Sequence, residues 1–351
     1  MTDQIVVSGK GTVATTRPVG LWLLLCCAFV FALIVLGGVT RLTQSGLSIV
    51  EWQPVTGALP PLSERAWRDE FTKYRATPEY RLVNEGMALG EYKTIYWVEY
   101  AHRLLARFAG VVFLIPFLYF LLAGRLSRPL AQKLGAVLAL GVLQAVLGWY
   151  LVLSGLADGP EVSQYRLTAH LGLAVVIYGA MFWLALGLLR RTTDRLGVGG
   201  SAARRIAAGF VGVVFFVILS GGLVAGLDAG FGYNTFPLME GQLIPAALFP
   251  AAPWWVNLFE DPLTVQFDHR ALALLALLGG IALWLRLRSA SVSHATRLWS
   301  HAVLAALVLQ VLLGISTLLY VVPIPLAAAH QGGALLLFTA SLGLAHAARV
   351  P

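Results

Sequence analysis

Eight apolar runs separated by short polar connections set the pattern of this chain, at roughly 19–38, 99–122, 131–153, 167–189, 206–226, 266–286, 299–321 and 327–347. About 20 apolar residues wound as a helix match the hydrocarbon thickness of a bilayer. The pattern predicts an all-α membrane protein with eight transmembrane helices. An even number of spans puts both termini on one side. That side carries Lys10 and Arg17, then Arg125, Arg128 and Lys133, then Arg190, Arg191, Arg195, Arg204 and Arg205, then Arg286, Arg288 and Arg297. By the positive-inside bias it is expected to be the cytoplasm. The connection between spans five and six lies opposite; it carries Asp228, Glu240, Glu260 and Asp261 and no Lys or Arg. The first run leads into Gly37-Gly38-Val39-Thr40-Arg41 without a small-residue cleavage site and reads as a retained helix.

Composition agrees. Of 351 residues, 58% are hydrophobic and only 12% charged, and the mean hydropathy of +0.77 excludes a soluble globular domain. The net charge of +8 sits on short connections, where it reads as a topology signal and not as a nucleic-acid surface. Cys26 and Cys27 are adjacent inside the first span and read as apolar packing.

The two halves repeat. Leu36-Gly37-Gly38 resembles Ser220-Gly221-Gly222, and Val98-Glu99-Tyr100-Ala101-His102-Arg103 resembles Val265-Gln266-Phe267-Asp268-His269-Arg270. Leu143-Gln144-Ala145-Val146-Leu147-Gly148 resembles Leu309-Gln310-Val311-Leu312-Leu313-Gly314, and Leu167-Thr168-Ala169-His170 resembles Ala327-Ala328-Ala329-His330. Four matches in one order predict two parallel four-helix bundles, 1–195 and 196–351. The joint is expected in the Arg- and Gly-rich stretch around Arg190 to Arg205, with Gly197, Gly199 and Gly200. The first half also carries a long outer loop, 39–97, with Trp52, Pro54, Pro60, Pro61, Trp67 and Tyr74. A lid over the outer face and a lipid-surface aromatic belt are both open readings of it.

The repeat places His102 and His170 in one bundle and His269 and His330 in the other, each near the outer end of a span. Ionisable groups in hydrocarbon are costly and tend to serve function. Two helices presenting one imidazole each suit a metal centre in each half, above all a bis-histidine heme. Histidines packed between helices are the alternative. Zinc fits less well, since no carboxylate or thiolate cluster accompanies the pairs. Arg103 and Arg270 follow a histidine in each repeat, suited to pairing with heme propionates or to snorkelling towards headgroups. Gln144 and Gln310, deep in spans three and seven, are expected to hydrogen-bond between helices. His294, His301 and His346 have no counterparts and read as interfacial.

One difference breaks the symmetry. Glu99 precedes His102 by three residues, on the same helical face, where the second half has Gln266. A carboxylate can take part in proton transfer and an amide cannot do so in this way. An ordinary first-turn acid at a helix N-terminus is the alternative.

These residues resemble the heme A synthase family over nearly the whole chain. The resemblance is carried by Gly37-Gly38-Val39-Thr40-Arg41-Leu42-Thr43 with Ser45-Gly46-Leu47-Ser48, by Trp52-Gln53-Pro54-Val55-Thr56-Gly57, by the Glu99 to Arg103 motif and by the three later histidines. It is most similar to the proteobacterial and mitochondrial branch, because the loop cysteine pair of many Gram-positive members has no counterpart. The resemblance implies oxidation of a methyl group of heme O to the formyl group of heme A by successive hydroxylations. It implies that His102 and His170 hold the substrate heme with Glu99 as a catalytic residue, and that His269 and His330 ligate a heme B cofactor. It further implies a bacterial inner-membrane location with the heme sites near the periplasmic side, an opening between lipid-facing helices for the farnesyl tail, and an electron donor not identified by sequence. Heme O synthase, oxidase assembly factors and further copies of the chain are the partners it admits. A di-heme b-type electron carrier and a heme transporter are the competing functions.

Overall fold

The computed structural model describes residues 16–53, 56–157, 162–189, 201–288 and 292–349. Lys10, Pro54, Arg190, Arg191, Arg195 and the glycines of the expected joint lie outside them. The helices are α1 (Arg17–Leu42), α2 (Glu64–Arg75), α3 (Pro78–Leu82), α4 (Leu89–Leu122), α5 (Arg128–Ala157), α6 (Gln164–Leu189), α7 (Ser201–Gly226), α8 (Asn257–Glu260), α9 (Pro262–Arg288), α10 (His294–Leu319) and α11 (Ile324–Ala347). No β-strand is present among the described residues. Seven helices, α1, α4, α5, α6, α7, α9 and α10, are long and apolar enough to cross a membrane. The eighth run of the sequence forms α11, 24 residues long, against α10, α7, α1 and α6.

The order of helix contacts follows the sequence repeat. Within the first half α1 packs on α4 and α6, and α6 on α5; within the second, α7 packs on α9 and α11, and α11 on α10. The inner helices α1, α6, α7 and α11 also pack across the halves, with α1 on α11 and α6 on α7. Hydrogen bonds mark this seam: Gln331 Nε2 donates to the Ile34 carbonyl at 2.9 Å, and the hydroxyls of Tyr178 and Thr339 lie 2.7 Å apart. One asymmetry stands out. α4 and α5 meet much less closely than α9 and α10, and α5 holds α6 less closely than α10 holds α11.

The outer loop of the first half is not irregular. It folds into α2 and α3, begun by the side chains of Ser63 and Thr77, which accept from the Ala66 and Tyr80 amides at 3.2 and 3.3 Å. Trp67 and Tyr74 pack there against Tyr92, Tyr96 and Tyr100 of α4, with Tyr74 and Tyr92 stacked at 5.1 Å. α4 therefore begins at Leu89, well before the apolar run that marks it in the sequence. Its first turns serve as a floor for the loop, and the Glu91 carboxylate closes its N-terminus by accepting from the Ala88 amide at 2.8 Å.

Candidate functional site: two histidine chambers

All four repeated histidines line one large cavity of about 2900 Å³, together with Glu99, Arg103, Gln266 and Arg270. Each imidazole is seated against a glycine of the neighbouring helix. A Cβ added at Gly37 would lie 3.3 Å from His102, and one at Gly148 would lie 3.0 Å from His170. At Gly221 and Gly314 the distances to His269 and His330 are 3.3 and 2.8 Å. A methyl group in these places would push on the ring, so the glycines make room for the imidazoles.

The interhelical hydrogen bonding expected of Gln144 and Gln310 is present, and it is directed at the histidines. Gln144 Nε2 of α5 donates to the His170 carbonyl of α6 at 3.0 Å and lies 3.2 Å from its Nδ1. Gln310 Nε2 of α10 donates to the His330 carbonyl of α11 at 3.0 Å and lies 3.1 Å from its Nδ1. Each glutamine stands one helical turn before its seat glycine, so Gln-x-x-x-Gly supplies both a clamp and a space. Oε1 of each glutamine is buried and without a partner.

The rings of His269 and His330 are 6.4 Å apart between centroids and nearly perpendicular, at 85°. Metal–nitrogen bonds of about 2 Å on either side of one ion, with each centroid about 1 Å behind its nitrogen, require about 6 Å. The ring separation of the second pair would accommodate one metal ion held between His269 and His330. His102 and His170 make no ring contact of this kind. No group of three or more His, Cys, Asp or Glu that could hold a bare metal ion occurs among the described residues. Two imidazoles, an apolar lining and an arginine at the rim suit a heme better than zinc.

The arginines and the residue four places before each form the outer rim. In the first half Glu99 is almost fully buried. Its Oε1 accepts from Arg103 Nε at 2.9 Å, and its Oε2 from the Ser48 hydroxyl at 2.7 Å and the Ile49 amide at 2.8 Å. Arg103 spends further donors on the carbonyls of Ile49 and Glu51. In the second half Gln266 Nε2 donates to the carbonyls of Ala229 and Gly232, and Gln266 Oε1 accepts from Arg270, which also donates to Tyr233 and Thr235. The exchange of Glu for Gln therefore has a local physical reason. Position 99 faces three donors and suits an acceptor; position 266 faces two carbonyls and needs N–H groups. Arg270 Nε is buried and unpartnered, a donor still free at the rim of the second chamber.

The remaining histidines stand apart. His301 accepts from Trp284 Nε1 at 2.9 Å, and His346 packs edge-on to Trp183. Cys26 and Cys27 are buried free thiols. Two further residues have contacts that the sequence pattern does not reveal. Ser220 lies 2.8 Å from His269 Nδ1. Its place before the seat glycine was visible in the repeat, but a Ser in an apolar run carries no mark of its partner. Glu79 of α3 is buried, lines the same cavity and has an unpartnered Oε2; nothing in a polar loop distinguished it from its neighbours.

Fold and site together define a multi-pass helical membrane protein whose large cavity is lined by two pairs of histidines. Residues 20–342 match the family model of the cytochrome oxidase assembly proteins, and the chain belongs to that family. It is 54% identical to the heme A synthase of Nitrosospira multiformis over 341 residues, 96% of this chain and 95% of that one. It is 53% identical to the heme A synthase of Nitrosomonas eutropha over 93% of this chain and 92% of that one. With the heme A synthase of Parvibaculum lavamentivorans it shares 48% over 95% of each.

Proposed function

We infer that the chain is a heme A synthase, an oxidoreductase that converts the methyl group of heme O into the formyl group of heme A. The observation that carries this reading is half-identity to proteins of that name along nearly the whole chain. In it, α1, α4, α5 and α6 form a substrate bundle with His102 and His170, while α7, α9, α10 and α11 form a cofactor bundle with His269 and His330. Eight spans then cross a bacterial inner membrane, with both termini in the cytoplasm and the chambers near the periplasmic face.

The loose seam between α4 and α5 supports placing the substrate in the first bundle. A farnesylated heme needs a lateral way in from lipid, and a resident cofactor does not. Heme B in the second chamber supplies one-electron transfer when bound. The rest is done by the chain's own groups. The glycine seats and glutamine clamps set the imidazoles, and the α2–α3 cap and the Arg103 fork exclude water above the first chamber. Glu99, a buried acceptor at that rim, holds negative charge beside the reacting heme, and Arg270 offers Nε to a propionate.

The test is expression in membranes supplied with heme O, followed by pigment extraction. Heme A or its hydroxylated precursors are expected. Bound heme without any oxidised product would replace this reading with that of an electron carrier. His269→Ala or His330→Ala should lower bound heme B, whereas His102→Ala or His170→Ala should lower retention of heme O.

A further inference from the structure

The two histidines that follow the Glu or Gln position are seated alike and held differently. His102 faces Gly37 and His269 faces Gly221, each 3.3 Å from the place a Cβ would take. The residue before the glycine is Leu36 in the first half and Ser220 in the second. Ser220 is buried and has a single hydroxyl proton, which it donates to the Val217 carbonyl at 2.8 Å. Its oxygen, 2.8 Å from His269 Nδ1, is therefore left to accept from an Nδ1–H. That fixes one tautomer, with the Nε2 lone pair free for a metal, and fixes the plane of the ring.

Leu36 offers no such acceptor, and among the described residues the His102 ring has no hydrogen-bond partner. Both rings turn an edge to the seat glycine, but only the His269 ring is tied down on its Nδ1 side. His269 stands within 6.4 Å, ring to ring, of His330.

We propose that Ser220 is a positioning residue that makes His269 a permanent heme ligand, and that Leu36 in the matched place makes His102 the exchangeable ligand of its pair. The inference rests on the heme reading above. It gives the two chambers their division of labour in terms of ligand lability: a cofactor must stay, and a substrate heme must arrive and leave as product. Neither outcome depends on the oxidation chemistry itself.

The experiment measures heme loss from the purified, heme-loaded protein to an excess of apomyoglobin, resolving heme B from heme O and A by pigment analysis, with electron paramagnetic resonance of the low-spin centres. Ser220→Ala is expected to speed heme B loss about tenfold or more, the usual effect of removing a histidine's outer partner. It should also shift the g-values of that centre alone, and Ser220→Thr should restore both. Leu36→Ser should slow loss of heme O and A severalfold. Unchanged heme B loss and g-values in Ser220→Ala, with a wild-type signal that His269→Ala abolishes, would overturn the assignment and leave the heme reading standing. A wild-type protein whose heme signal is indifferent to His269→Ala would overturn both.

Discussion

The Ser48 hydroxyl donates to Glu99 Oε2 at 2.7 Å, joining the outer loop to the helix that carries His102. With the Ile49 amide on the same oxygen and Arg103 on the other, Glu99 is at once a rim carboxylate and the anchor of the cap. Glu99→Gln turns an N–H group towards donors, so product formation should collapse with heme largely retained, while the cap loosens and residues 44–88 become more open to protease. Ser48→Ala keeps the carboxylate but removes one hydrogen bond to a charged group, worth about 1.5–3 kcal/mol. It should open the cap to a lesser degree and keep measurable activity. Full activity in Glu99→Gln would leave Glu99 with the anchoring role alone.

The glycine seats predict a position-specific cost. Gly148→Ala and Gly314→Ala set a methyl 3.0 and 2.8 Å from Cε1 of His170 and His330. Each should weaken heme retention at its own chamber by about tenfold or more, a loss in the range for disturbed ligand orientation. Gly135→Ala, also on α5 but with open space at its Cβ, is the control and should retain heme as the wild type does. Absorbance titration of the two chambers reads the difference.

Glu79 predicts a pH dependence of the cap. Burial, and next the negative charge of Glu99, push its carboxyl up to about 7, against a smaller opposing effect of the Tyr74 hydroxyl. The folded-state value is raised, so its contribution is greatest below the ordinary carboxylate value near 4.5 and is lost as pH rises through about 7. Glu99 and Tyr74 are the titratable groups acting on it, and Arg103 is already engaged by Glu99. Hydrogen exchange of residues 63–88, corrected for intrinsic rates, should show stronger protection at pH 5.5 than at pH 8. Glu79→Gln should flatten that difference, and an unchanged profile would remove Glu79 as its source.

Across the halves, Arg41 meets Asp228 at 2.8 Å, but Asp228 is more than half exposed. Screened pairs of this kind contribute about 0–1 kcal/mol. Asp228→Asn is therefore expected to leave thermal stability nearly unchanged. Gly222→Leu, which drives a side chain into Thr168 at the buried α6–α7 seam, should lower it clearly.

Most of the frame was legible in the sequence because membrane helices and internal repeats write themselves in apolar runs and matched motifs. The paired histidines and Gln144 and Gln310 belong to that legible part. The start of α4 was not, since Leu89 to Trp97 mixes aromatic and polar residues and shows helix only once α2 and α3 lie against it. The Glu99 and Gln266 exchange was visible, yet its local cause was hidden, because the groups each faces come from loops whose paths no periodicity reveals. Ser220 escaped for a related reason: its meaning lies in the nitrogen opposite.

The loosely held α5 has a consequence beyond the route of a substrate. Only 6% of the residues in its apolar window are buried; one side of the helix lines the cavity, and its remaining apolar surface is left for lipid once the chain lies in a bilayer. The integrity of the first chamber then depends in part on the surrounding lipid. Extraction into a short-chain detergent should dilate that chamber and spare the second, and a return to bilayer discs should close it again.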